Sequence, residues 1–404
     1  MESGLRVLSQ RSKVLRNFRA TWPTITDMLW RGRFLFYDVA LLAYSVQVLR
    51  TYGIGAIIRS PKICLIALPW AGRACHRLLH FLLSIPVLPA QLIFNHGIFA
   101  KMFPKNFESV NSEMKKYAVF LQKNFEGIPV VISTPDGVNL SGMFFLGKER
   151  GAGTGSIHGP SIIRFNGNGE AWEYIDPGSV RDYVDQGINL LVFNYRGVNE
   201  STWAPVFGSQ VLGELIGRYT TIERDGIVLD CMSVIQYVVK GLGVKEDKVL
   251  LLGHSIGGAF SLQASVKHHP RACICSSRSF SKLSCTVREH AAEFLGVSPT
   301  SWIGKFLKWL GGTLVHVTGW ELNSVEVWHK TNGFKWIEFC KKDHIIPVKT
   351  SLYEAAGGVE SNRVLELESL RGDNHNRALT IMELREHLAL VETALSLPGT
   401  SKQG

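Results

Sequence analysis

The residues best suited to chemistry stand at Gly253–His254–Ser255–Ile256–Gly257, directly after the apolar run Lys248–Leu252 and leading into the small-residue run Gly257–His268. A serine between glycines at a strand-to-helix turn fits a nucleophile held in a strained backbone, its hydroxyl raised above a sheet edge. The glycines belong there because so tight a turn leaves no room for flanking side chains. The plainer role for Ser255 is that of a helix cap. A serine hydroxyl is a weak nucleophile until a base takes its proton. The order serine, acid, histidine directs attention downstream. Asp343 follows the apolar run Lys335–Cys340 and opens a turn ending at Pro347. His375 lies just past the run Arg363–Glu368, in Asp373–Asn374–His375–Asn376. His375 is therefore expected to be the base and Asp343 its orienting acid, with Asp373 the next carboxylate to test. The plainer role for Asp343 is a turn residue. His344 adjoins the acid and is expected to point elsewhere. His387, among Leu384, Leu388 and Leu390, reads as a packing or surface residue.

The negative charge that develops on attack needs two backbone N–H donors. Ile256, next after the serine, is expected to supply one. The other is expected from the loop Phe165–Asn166–Gly167–Asn168–Gly169, with Asn168 as donor and Gly167 as the near alternative. The loop's plainer role is a tight turn. A phosphate cradle is disfavoured, because the loop lacks a Walker lysine and a third glycine at dinucleotide spacing. No HExxH and no Cys/His metal spacing appears, so the reading requires neither a metal nor an organic cofactor.

These residues need a frame to position them. Strands are expected at Pro129–Thr134, Asn139–Gly147, Ser161–Phe165, Asn189–Tyr195, Lys248–Leu252, Ala272–Ser276, Lys335–Cys340 and Arg363–Glu368. A Pro135–Asp136–Gly137 turn joins the first two. Helical patterns cover Ile222–Gly241, Gly257–His268, Phe280–Leu295, Ser301–Leu310 and Ala378–Leu395. Strands separated by helices predict an α/β fold with a mostly parallel sheet covered on both faces.

The composition narrows the class further. Of 404 residues, 46% are hydrophobic and 19% charged, which excludes a mainly disordered chain. The seven cysteines, odd in number and mostly in apolar runs, read as reduced, buried and intracellular. The net charge of +10 is unevenly spread: residues 1–124 hold 17 Lys and Arg against 5 Asp and Glu, whereas 125–404 hold 27 against 29. A basic surplus in the most apolar third suits an anionic membrane surface better than nucleic acid. No zinc-finger or RNA-recognition signature accompanies it, so no nucleic-acid partner is expected. Leu8, Leu15, Phe18 and Trp22 fall near helical spacing among Arg11, Lys13, Arg16 and Arg19. That pattern reads as a surface helix with a solvated basic face, or one at a membrane. Between Arg77 and Lys101 lie 23 residues without an acidic or basic side chain, enough to cross a bilayer. Pro86 and Pro89 interrupt this stretch, so a re-entrant hairpin, a kinked span and a buried core hairpin all fit. No cleavable signal peptide is read, and the expected location is intracellular with or without membrane contact. The domain reading is an apolar, basic, mainly helical region at 1–124, a catalytic domain at 125–397 and a flexible tail at 398–404.

With these motifs in hand, residues 125–397 resemble the α/β-hydrolase superfamily. The resemblance rests on Thr134–Gly137, Phe165–Gly169, Asn194–Gly197 with Ser201, Gly253–Gly258, Asp343–Pro347 and Asn374–Asn376, in the superfamily's order. The Phe165–Glu170 wording and the apolar N-terminal third are similar to a bacterial branch known from chlamydiae and legionellae. The resemblance implies a central sheet of about eight strands, a triad of Ser255, Asp343 and His375, and a helical cap at about 277–333. Trp302, Trp309, Trp320 and Trp328 in that cap fit an apolar or acyl-bearing substrate, and fit core packing equally. One departure is Asn166–Gly167, where most relatives carry His–Gly; it leaves open what holds the loop. The implied activity is a serine hydrolase acting on an ester or thioester, with a lipid-like ester among the candidate substrates. A peptidase or amidase of the same fold is the alternative within enzymes. A catalytically idle protein of this fold that binds a membrane or a partner is the alternative outside them.

Overall fold

The computed structural model describes residues 17–19, 104–149, 153–205, 223–357 and 359–396. The uncharged stretch 78–100 and the tail 398–404 lie outside the described residues, as does most of the Leu8–Trp22 pattern. Among the described residues no helix is long and apolar enough to cross a membrane.

The strands are β1 (Asn17–Arg19), β2 (Ile128–Ser133), β3 (Asn139–Phe145), β4 (Lys148–Glu149), β5 (Gly153–Thr154), β6 (Ser161–Phe165), β7 (Asn189–Phe193), β8 (Val249–His254), β9 (Cys273–Ser277), β10 (Lys335–Cys340) and β11 (Val364–Leu367). All but the small β4–β5 pair join one sheet in the order β1-β2-β3-β7-β6-β8-β9-β10-β11. Its ladders are parallel except where β3 pairs with β2 and β7. β3 runs backwards because a tight turn separates it from β2: Gly137 has φ of 85° and its N–H donates to Thr134 O at 3.0 Å. Parallel strands need crossovers, and the apolar runs alternate with helices that supply them. From β2 to β11 the strand order and the single reversed strand are those of the α/β-hydrolase fold. Short β1 adds a parallel edge strand, so Phe18 of the expected helical pattern is paired with the open edge of β2 instead.

The helices are α1 (Pro104–Asn124), α2 (Pro177–Val184), α3 (Arg224–Gln236), α4 (Ile256–His268), α5 (Leu283–Phe294), α6 (Trp302–Val317), α7 (Ser324–Trp328), α8 (Leu352–Ala356) and α9 (Ile381–Ala394). One sheet face buries Ile162, Leu190, Val192, Leu250, Cys275 and Trp336 against Val180 and Tyr183 of α2 and Val391 of α9. Leu121 of α1 joins the same cluster. On the other face α4 packs through Phe260, whose ring lies 5.6 Å from that of Tyr195. Each such aliphatic or aromatic side chain contributes about 1.5–3 kcal/mol when buried. A capping box starts α9, with Thr380 and Glu383 exchanging side-chain and backbone hydrogen bonds.

The chain leaves β6 toward β7 and returns to β8 on the other side. The carboxyl ends of β6 and β8 therefore flank a switch point, where open α/β sheets leave a crevice. The loop 166–169 and the turn at Ser255 sit at those two strand ends.

Candidate active site

The turn at Ser255 shows why its neighbours are glycines. Ser255 has φ of 53° and ψ of −123°, between the end of β8 and the first residue of α4. A Cβ on Gly253 would stand 2.5 Å from Gly258 Cα, and one on Gly257 would stand 2.3 Å from Phe165 O. No side chain fits at either place. The strained serine is held by its N–H, which donates to Ser277 O at 2.9 Å. Backbone of this kind costs about 1–3 kcal/mol and persists only where surrounding structure enforces it. Ser255 opens α4, so the amide of Ile256 is an unpaired first-turn donor by position, at the positive end of the helix.

The two residues expected as acid and base meet. His375 Nδ1 lies 2.7 Å from Asp343 Oδ2, with both side chains buried. The other carboxylate oxygen accepts from the amides of Ile345 and Ile346, both at 2.8 Å. Burial pushes the Asp343 carboxyl up, but the bond and charge of His375 and the two amides outweigh it, so its pKa lies below the ordinary value. Asp373 serves the turn instead. Its Oδ1 accepts from the amides of His375 and Asn376, at 2.9 and 3.1 Å, and so shapes the backbone there. His344 is exposed, as expected. The His254 ring, one residue before the serine, lies 4.9 Å from the His375 ring between centroids. Burial holds the His254 pKa down at about 4, so that imidazole is neutral at pH 7. No hydrogen bond joins Ser255 Oγ to His375 among the described residues, and such bonds commonly tighten only with substrate.

The 166–169 loop answers the question raised by its departure from His–Gly. Asn166 is buried, its Nδ2 donating to Phe193 O at 2.9 Å and its carbonyl accepting from Tyr195 OH at 2.9 Å. The Gly167 amide donates to Glu170 Oε2 at 2.7 Å. That bond engages the amide that was the near alternative to Asn168. Glu170 in turn faces Arg164 at 3.8 Å.

Two groups that residue type alone does not mark secure the histidine loop. Arg278, just past β9, donates from Nη1 to His375 O at 2.6 Å and to Arg377 O at 2.8 Å. It is buried, with φ of 49°, and its own amide donates to Glu338 O at 2.7 Å. Among the described residues no carboxylate lies within ion-pair distance of its guanidinium; burial lowers its pKa, and it lines a polar cavity of about 320 Å³ with Arg164, Glu170, His254 and Asn376. Arg377 in turn donates to both oxygens of Glu383, at 2.6 and 2.7 Å. Burial pushes the Glu383 carboxyl up, but Arg377 and the amides of Thr380 and Glu368 bring it down to about 2. The available signals were a charged residue directly after an all-buried strand and an arginine six positions before a glutamate at a helix start.

His387 is buried, not superficial, and lies in a separate network. Its Nδ1 meets Glu338 Oε1 at 2.5 Å and its Nε2 meets Tyr183 OH at 2.9 Å. Cys275 completes a buried group of three metal-ligand types. Both imidazole nitrogens are already bonded, and burial pushes the Cys275 thiol well up, so this group fits a packed polar core better than a metal site.

No family model matches the chain. Over 104 residues it is 30% identical to acylamino-acid-releasing enzyme 2 of Oryza sativa subsp. japonica; the match covers 26% of this chain and 12% of that enzyme's length. Among solved structures, an esterase of Pyrococcus furiosus superposes with a TM-score of 0.47 at 17% identity, covering 68% of this chain and 93% of its own. An α/β hydrolase of Vibrio vulnificus gives 0.46 at 15% identity, over 78% and 91%. An acetyl xylan esterase of Paenibacillus sp. R4 gives 0.44 at 14% identity, over 66% and 83%.

Proposed function

We infer that the chain is a serine hydrolase of the α/β-hydrolase superfamily, cleaving a carboxylic ester or thioester through an acyl-enzyme. The observation that carries this reading is the strained Ser255 at the switch point of the sheet, on a turn whose flanking glycines admit no side chain. The buried Asp343–His375 pair supports it. Ser255 Oγ attacks the carbonyl carbon while His375 takes its proton. Asp343 holds Nδ1, which leaves Nε2 as the nitrogen that exchanges the proton. The amides of Ile256 and Asn168 stabilise the oxyanion. The alcohol or thiol then leaves with the proton from His375. Water repeats the sequence on the acyl-enzyme and releases the acid.

A second reading, cleavage of an amide or peptide bond, is favoured by the likeness to the rice acylamino-acid-releasing enzyme. The basic surplus of residues 1–124 supports contact with an anionic membrane surface as a further part of the reading. A fluorophosphonate probe tests the chemistry: it labels the folded protein at one site, and Ser255→Ala abolishes labelling with the fold intact. Parallel ester and amide panels separate the two readings. Labelling that survives in Ser255→Ala places the reactive group elsewhere and removes the assignment.

A further inference from the structure

Helix α6 buries its small side chains and displays its large ones. Gly304, Gly311, Gly312 and Val315 are buried. A Cβ on Gly311 would stand 2.9 Å from Ala291 Cβ of α5, and one on Gly304 would stand 2.1 Å from Ser298 O. The helix is therefore seated by its glycine side. The opposite side shows Trp302 at 78% exposure, Phe306 at 50%, Trp309 at 57% and Val317 at 62%. Their spacing of four, three and eight residues puts them on one helical stripe. The Phe306 and Trp309 rings lie 5.8 Å apart, which makes the patch continuous. Burial in a core does not account for this arrangement, because a helix selected for core packing turns the large apolar face inward.

The charges indicate what covers the stripe. Residues 302–317 contain two lysines and no carboxylate. Lys305 is exposed and borders the stripe, whereas Lys308 reaches back to Glu289 of α5 at 3.4 Å. Aromatic rings with an ammonium at the edge are the composition of a helix lying in a membrane interface. A second copy of the chain fits worse, since a two-fold contact sets the lysine edge against itself. The N-terminal reach of the same chain fits worse too, with its 17 basic against 5 acidic residues.

We propose that the Trp302–Phe306–Trp309 face of α6 docks on an anionic lipid bilayer. The helix pair α5–α6 is anchored beside the acid loop: the His290 Nε2 lies 2.8 Å from Ile345 O, and Lys349 pairs with Glu289 at 2.5 Å. A bilayer at α6 is thus linked to the loop that carries Asp343 through α5. The consequence, that the substrate is an ester carried by a lipid, rests on the catalytic reading above; the docking itself does not.

The test uses the full chain with vesicles of phosphatidylcholine and phosphatidylglycerol, against phosphatidylcholine alone. The readouts are co-sedimentation and quenching of tryptophan fluorescence by brominated acyl chains. The native protein and Ser255→Ala bind the anionic vesicles alike and are quenched. The triple variant Trp302→Ser, Phe306→Ser, Trp309→Ser changes only exposed side chains, and its melting curve checks the fold. It keeps any contact made by residues 1–124 but binds at least about threefold more weakly and loses the part of the quenching that Trp302 and Trp309 contribute. Binding by native protein without hydrolysis of any ester supports docking and removes the catalytic reading alone. Equal binding and quenching in the triple variant overturns the proposal, as does failure of the native chain to bind. Native dimerisation that the triple variant abolishes also overturns it, in favour of a second copy; capture of an acidic protein that blocks vesicle binding does the same.

Discussion

Arg278→Met tests whether His375, the proposed base, is placed by a buried cation. The native guanidinium donates to His375 O and Arg377 O, at 2.6 and 2.8 Å. Hydrogen bonds from a charged group are worth about 1.5–3 kcal/mol each. Burial works against them, lowering the Arg278 pKa, and the Glu338 carboxylate only partly offsets it. Removing the charge therefore returns part of the loss, and roughly 2–4 kcal/mol remains. Some of that appears as lost stability. The rest appears as a loosened loop, and a displacement of about 1 Å at the reacting atoms costs about a hundredfold in rate. The expectation is a kcat lower by about 10–100-fold, with KM within a factor of about two. Arg278→Lys keeps the charge but cannot span two carbonyls as a fixed fork, so it recovers only part of the rate. The assay is ester turnover normalised to the fraction of sites labelled by a fluorophosphonate, which corrects for unfolded protein. A purely structural role lowers the melting temperature and leaves normalised kcat unchanged; that result refutes the positioning argument.

Three further changes follow from the same geometry. Asp343→Asn and His375→Ala each lower turnover by about 10³–10⁴, and near-native turnover in a folded His375→Ala protein removes that histidine as base. Arg196→Met leaves Asp230 without the partner at 2.6 Å and Asp136 without its contact at 2.8 Å, so denaturant unfolding shifts by about 3–5 kcal/mol; a shift below about 1 kcal/mol contradicts a structural ion network. Glu383 has a folded pKa of about 2, below its ordinary 4.5, so its contribution is complete above about pH 4.5 and is lost as pH falls toward 2. Glu383→Gln accordingly flattens the loss of melting temperature between about pH 5 and 2, and an unchanged acid limb rules out that linkage.

The frame is legible in the sequence because its signals are local. Asn189–Phe193 is buried along its whole length, and its uninterrupted apolar run marks a parallel strand between two layers. The motifs have physical reasons: Arg196 of the Asn194–Gly197 motif pairs with Asp136 of the Thr134–Gly137 motif, and Gly197 has φ of 70° with Trp203 where a Cβ would stand. Helix α2 escapes the pattern, although Asp176 caps it by accepting from Ser179 N at 2.9 Å and Pro177 begins it. Eight residues are too few for periodicity to speak. Arg278 escapes for a different reason. It acts on backbone carbonyls in another loop, and no spacing rule links residue 278 to a carbonyl at 375.

Two buried histidine–carboxylate pairs show where residue type stops being informative. His375 with Asp343 and His387 with Glu338 are alike in chemistry, burial and contact length. Both sit toward the carboxyl end of the chain, and each carboxylate belongs to β10 or the turn after it. The third partner separates them. Tyr183 OH binds the second nitrogen of His387, and Trp336 Nε1 donates to Glu338 at 3.1 Å, so that pair has no nitrogen left to exchange a proton with a substrate. His375 is bound to its carboxylate through Nδ1 and held on its carbonyl side by Arg278, and among the described residues no hydrogen bond engages its second nitrogen. A base must be fixed at one end and available at the other. The loop after β11 holds His375 in a way that fits this requirement, whereas the interior of α9 encloses its histidine on both ring nitrogens. What each imidazole has left to bind therefore separates His375 from His387: the second ring nitrogen of His387 is taken by Tyr183, and that of His375 is not.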